Sequence, residues 1–156
     1  MSNFIFNNTK GRDVAFIDNV NNDNPVNSGL VVLLLKTAEA DEALRDYDDL
    51  AALLAGSSVE ADFTNYARKV LTDTDGITVN VNDSTNTVSV DIPDPVWASA
   101  GGTLDNTTAK LIIGYDSDTT SGTDSNIIPM YAYDFVATTN GNNLTAQVNA
   151  AGLASF

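Results

Sequence analysis

Apolar residues in this chain fall into short runs separated by turn-forming residues, and one stretch alone repeats clearly at helical spacing. Phe4-Ile-Phe6 and Val14-Ala-Phe-Ile17 are divided by Asn-Asn-Thr-Lys-Gly, a turn composition that predicts a hairpin or two extended arm segments. Asn19 to Ser28 reads as a polar loop. Leu30-Val-Val-Leu-Leu-Leu35 has no polar alternation, so a strand there must be covered on both faces.

The cover comes next. Between Asp41 and Ala55 the residues Ala43, Leu44, Tyr47, Leu50, Ala51 and Leu54 share one side of a helical wheel, and Asp41, Glu42, Arg45, Asp46, Asp48 and Asp49 fill the other. Asp41 suits the N-cap and Gly56 the position past the C-terminus, so one helix over about 41–55 is predicted, its apolar side on the Leu30–Leu35 strand and its acidic side in solvent.

From Tyr66 the pattern turns to β. Tyr66–Leu71 is followed by two segments that alternate at period two, Ile77–Val81 and Thr87–Ile92, joined by the hairpin loop Asn82–Asn86. Pro93 and Pro95 end the second of them in an extended corner that carries the single Trp97. Lys110–Asp116 and Ile127–Phe135 read as paired strands around an acidic loop, and Asn143–Asn149 as a last strand after the Asn140-Gly141 turn. Turn signals at this spacing predict an all-β fold, an antiparallel β-sandwich of jelly-roll-like type with one inserted amphipathic α-helix. Residues 1–28 are expected to form an N-terminal arm or the first strands, and 29–156 the sandwich domain.

Composition changes the picture mainly by exclusion. The chain has no cysteine and no histidine, which removes disulfides, thiolate metal sites, cysteine nucleophiles and serine–histidine chemistry. No P-loop, dinucleotide fingerprint or nucleophile elbow occurs, and neither an enzymatic activity nor a cofactor is expected. Leu30–Leu35 falls far short of the roughly 20 apolar residues of a membrane helix, and Met1-Ser-Asn-Phe-Ile-Phe lacks the basic start of a signal peptide. A soluble protein made in the cytoplasm, with no membrane partner, is the expectation.

The net charge is −14, which disfavours nucleic acid as a partner. It is unevenly placed: up to Lys36, the cations Lys10, Arg12 and Lys36 balance Asp13, Asp18 and Asp23, so the whole excess falls on the rest of the chain. The neutral region is either the first strands of the domain or an arm that docks on another protein.

Asp116-Ser-Asp-Thr-Thr-Ser-Gly122-Thr-Asp124 has the spaced carboxylates of a calcium loop. An EF-hand needs Gly at position six and a bidentate Glu at twelve, whereas here Gly is seventh and Ile127 twelfth, so a solvated hairpin loop without metal is predicted. Paired carboxylates can cleave glycosidic bonds, but nothing in the sequence marks a pair. Trp97, Tyr115, Tyr131 and Tyr133 are expected in the core, the alternative being an exposed platform on which sugars stack.

Three segments together resemble a family of small virion proteins of tailed bacteriophages and prophages: Val59–Leu71 with its Tyr-Ala-Arg-Lys, the Asp91-Ile-Pro-Asp-Pro-Val-Trp-Ala98 corner, and Lys110-Leu-Ile-Ile-Gly-Tyr-Asp116. The resemblance runs from about Leu30 to Phe156; the N-terminal region and the Asp-rich loop depart from it. It implies a structural role without catalysis, as a capsid decoration or cement protein on the outer head surface of the virion. The implied partners are the major capsid protein and other copies of the chain, as a trimer or dimer. Docking is then expected through Phe4, Phe6, Lys10, Arg12, Phe16 and Ile17. A tail, neck or fibre component that binds a receptor or glycan is the alternative.

Overall fold

The computed structural model describes residues 2–149 and the short strand Ala154–Ser155. In chain order the elements are β1 (Phe4–Ile5), α1 (Asp13–Asn21), β2 (Gly29–Thr37), α2 (Asp41–Leu44), α3 (Leu50–Ala55), β3 (Val59–Glu60), β4 (Lys69–Leu71), β5 (Thr78–Asn82), β6 (Thr87–Asp91), β7 (Val96–Trp97), β8 (Lys110–Asp116), β9 (Ile127–Asp134), β10 (Leu144–Thr145) and β11 (Ala154–Ser155). The fold is mostly β, and every strand pairing described is antiparallel.

The main sheet runs β1-β9-β8-β2-β3, with β4 also on β2; β7 pairs with β10, and β5, β6 and β11 form a third sheet. The unalternating run at Leu30–Leu35 is fully enclosed, as a strand apolar on both faces must be. Val31, Leu33 and Leu35 join Phe6, Leu44, Leu50, Leu53 and Ile112 on one face. Leu30, Val32 and Leu34 join Ile17, Val20, Phe63, Val90, Trp97 and Ile113 on the other. In β9 a register shift opposite Ile113/Gly114 lets both Met130 and Tyr131 enter this second cluster. The shift sits where Gly114 lies against Ile127: a Cβ at Gly114 would come within 2.7 Å of Ile127 Cγ2.

Several expectations are corrected, among them the strand expected over Tyr66–Leu71, which is limited to Lys69–Leu71. Val14–Ile17 is not a strand. It belongs to helix α1, whose buried Asp13, Ile17 and Val20 lie four and three residues apart, the spacing of a helical face. The helix expected over 41–55 is two short helices with a break from Arg45 to Asp49. Asp41 follows the N-cap Ala40 instead of being the cap, and Asp49 caps the second helix by accepting from the Ala52 N–H at 2.8 Å. Leu44 and Leu50 cover the Val31–Leu35 face as predicted, joined by Leu53, which the wheel did not place on the apolar side, while Leu54 is only partly buried.

The Ile77–Val81 and Thr87–Ile92 hairpin forms as expected, with Val79 opposite Val90 and Val81 opposite Val88. Ile77, Val90 and Ile92 are buried, while Val81 near the tip is 69% exposed, so the hairpin projects past the core. The strand expected over Asn143–Asn149 is limited to Leu144–Thr145, set against Trp97 and Val96.

Candidate functional site

The N-terminal segment is built into the body of the protein. β1 adds to the edge of β9, Phe4 opposite Ala132 and Ile5 opposite Tyr131. Phe6 is fully buried beneath α2 and α3, and Ile17 is fully buried on the opposite side of the sheet. Neither is available to a partner. Phe4 is half-buried, its ring 5.3 Å from that of Phe6 and 5.1 Å from the Arg45 guanidinium. Phe16 is half-buried and stacks on Tyr115 at 4.6 Å between centroids, with the Arg12 guanidinium 5.4 Å from its ring.

What remains at the surface is the turn between β1 and α1. It is held from below: Asn7 N–H donates to the Arg45 carbonyl (2.8 Å), the Asn8 side-chain amide to the Asp48 carbonyl (2.8 Å), and the Thr9 hydroxyl to the Phe6 carbonyl (3.0 Å). Gly11, at φ +78°, makes the reversal into the helix in a conformation open to glycine at little cost. The turn carries Lys10 and Arg12, both exposed. Lys10 binds the Asn7 side-chain oxygen at 2.6 Å, and Arg12 Nε donates to the Asn8 carbonyl at 3.1 Å.

These two cations stand apart electrostatically. Lys36 pairs with Asp62, Arg45 with Glu42, Arg68 with Glu60 and Asp124, and Lys110 with Asp41 and Asp134. Lys69 lies 5.8 Å from the Trp97 ring. Among the described residues, Lys10 and Arg12 are thus neighbouring exposed cations with no carboxylate partner, in a protein of net charge −14. With the half-buried Phe16 beside them they form a small, rigidly mounted basic and aromatic face.

The other candidate groups are turned inward. Trp97 is fully buried, its indole N–H donating to the Ala67 carbonyl at 2.8 Å, and Tyr115 and Tyr131 are buried as well, so these three rings are not exposed for sugars to stack on. Tyr133 is half-buried on the wall of an open cavity of about 330 Å³, lined with it by Ile92, Leu111, Ile113, Phe135 and Val148. Nothing in the sequence pattern indicated this cavity, because its wall combines strands β8 and β9 with the segments just after β6 and β10, distant along the chain.

In the acidic loop the carboxylates serve the loop itself. Asp116, buried, accepts from the Asp118 N–H at 3.0 Å, and Asp118 accepts from the Thr120 N–H and hydroxyl, which hold its carboxyl below the usual range. Asp124 is turned away to Arg68, which Glu60 also clasps. Among the described residues no group of three or more acidic side chains is gathered as a metal site. A feature that sequence reasoning passed over is Lys110, read only as the start of a strand: it is fully buried, on Asp134 and Asp41 at once.

No protein-family model, curated protein or solved structure matches this chain.

Proposed function

We propose that this protein is a non-enzymatic structural component of a tailed-phage particle, a decoration or cement protein bound to the outer surface of the head. The observation that carries the reading is the Lys10–Arg12–Phe16 face, an unneutralised basic patch mounted on the sheet of an otherwise strongly acidic molecule. Such a patch steers a protein to an acidic surface and fixes its orientation there, while the remaining negative charge repels DNA and keeps the outward side soluble. The docking set is accordingly Lys10, Arg12 and Phe16; Phe4 packs instead with Phe6, Arg45 and Lys110 across the sheet, and Phe6 and Ile17 act through the core. The major capsid protein is the partner, and repetition around local symmetry axes gives the copies a dimeric or trimeric arrangement.

The resemblance of Val59–Leu71, Asp91–Ala98 and Lys110–Asp116 to small virion proteins supports the same reading. So does the shared cluster in which Leu30, Val32 and Leu34 of β2 meet Ile77, Val90 and Ile92 beside the third sheet, the layering that a jelly-roll-like sandwich requires.

Charge reversal tests this without disturbing the core, whereas removal of the N-terminal segment would also take Phe6 and Ile17 from it. The double variant Lys10→Glu, Arg12→Glu is expected to keep its melting temperature and to lose at least about tenfold in affinity for purified particles lacking the protein, since like charges set against a complementary patch cost several kcal/mol. A variant that saturates particles as the native protein does, or a native copy number matching a tail component, overturns the decoration reading.

A further inference from the structure

Lys110 begins β8 directly opposite Asp134, the last residue of β9, and both side chains lie on the face covered by α2. Its ammonium group is fully buried. Nζ lies 2.6 Å from Asp134 Oδ1, 3.0 Å from Asp41 Oδ1 and 3.1 Å from the Ser2 carbonyl, with the Phe4 ring 5.2 Å away. One cation therefore faces two carboxylates, one more than neutralisation needs; the Phe4 ring covers the buried ammonium, while Asp134 reaches solvent on its far side.

We propose that this cluster is a self-catalysing cross-linking site, in which the Lys110 amine and the Asp134 carboxyl condense to an isopeptide bond and Asp41 carries the proton.

The chemistry follows from the arrangement. Condensation begins with proton transfer from the ammonium to the carboxylate that touches it, Nζ and Asp134 Oδ1 being 2.6 Å apart. The products of that transfer are an amine nucleophile and a carboxylic acid electrophile, held by strand register at contact distance, which replaces a bimolecular encounter by an intramolecular one. Asp41 supplies the general base. Burial alone would raise its carboxyl, but Lys110 and the N–H and hydroxyl of Ser2 outweigh that and hold it below the usual range, so it stands ready as a carboxylate. Nζ bonds to Cγ of Asp134 and gives a proton to Asp41; Asp41 returns it to the departing hydroxyl; one water leaves. Ammonium plus carboxylate thus become amide plus water, with no oxidant, cofactor or second substrate.

The bond would tie β8 to β9 across a sequence separation of 24 residues, at the end of the sheet where β1 and α2 also converge. A covalent tie there restricts the unfolded chain and resists the peeling apart of two neighbouring strands. The inference is independent of any docking partner.

Mass spectrometry of the full-length purified protein decides it. After allowance for the initiator methionine, the native protein is expected one water lighter than its sequence, trypsin is expected to spare the Lys110–Leu111 bond, and a branched peptide containing Lys110 and Asp134 should be recovered. Lys110→Arg keeps the charge pairing but should have the full mass. Asp134→Asn should lose ammonia instead of water and converge on the same cross-linked product as the native chain. Asp41→Asn should remain uncross-linked; a cross-linked Asp41→Asn protein removes Asp41 from the mechanism. A native protein of full sequence mass that trypsin cleaves after Lys110 overturns the proposal, as does a water loss that persists in Lys110→Arg.

Discussion

Tyr131 on β9 and Asp13 in the first turn of α1 meet inside the core, where the phenolic hydroxyl donates to Asp13 Oδ2 at 2.9 Å and each residue is only 2% exposed. This hydrogen bond fastens the N-terminal helix to the sheet from within. The free N–H groups of a helix start favour an acidic residue at Asp13's position, but the carboxyl group still needs a donor once water is gone. Tyr131→Phe keeps the ring packing and removes that donor. It is expected to lower unfolding free energy by about 1–3 kcal/mol, measured by urea denaturation.

A second consequence concerns alkaline pH. Burial pushes the phenols of Tyr66, Tyr131 and Tyr133 above the ordinary tyrosine value, with Asp13 adding to the effect at Tyr131 and Tyr133 and Glu60 adding to it at Tyr66. In the unfolded chain these groups ionise near pH 10, about their unperturbed value. Below that both states hold the proton and the stabilising contribution is complete; above it only the folded state does, so stability is lost as pH rises. Thermal melts from about pH 8 to pH 11 should show a falling midpoint, and Tyr66→Phe should make the fall shallower. Phenolate absorbance should develop with unfolding for these tyrosines, not before it.

The break between α2 and α3 gives a graded series. Leu50→Ala, at a fully buried position, is expected to cost about 2–5 kcal/mol. Asp49→Ala removes a helix cap and is expected to cost about 0.5–2 kcal/mol. Asp48→Ala, exposed and outside both helices, should change stability by less than about 0.5 kcal/mol. A single continuous helix would place Asp48 and Asp49 together on its polar side, so equal and small effects from both would contradict the capped break.

These cases show which features a sequence can display. Leu30–Leu35, Lys110–Asp116 and the hairpin around Asn82–Asn86 are legible because burial on two faces, or on one, leaves an unmistakable run or alternation. Val14–Ile17 misleads because four apolar residues fit either period. Val20, inside what reads as a polar loop, is the residue that completes the helical face. At 41–55 the wheel describes one smooth cylinder and has no means of showing that an aspartate will stop one helix and cap another. The site is harder still. Whether Phe6 and Ile17 project or are buried depends on where the edge of β9 lies, and the convergence of Asp41 and Asp134 on Lys110 depends on register between distant segments.

The position of β2 in the main sheet also sets an order of events during synthesis. Gly29–Thr37 is made early, yet β8, the partner that pairs along seven of its residues, is made long afterwards, once the third sheet's hairpin and the Trp97 corner have emerged. Until then this apolar strand is sheltered by α1, α2, α3, β3 and β4, with the long edge that β8 will take still open. Pairings so remote in sequence form slowly, and an uncovered apolar edge is where nascent chains associate wrongly. The vulnerable interval for this protein therefore ends only when β8 has left the ribosome and closed over β2.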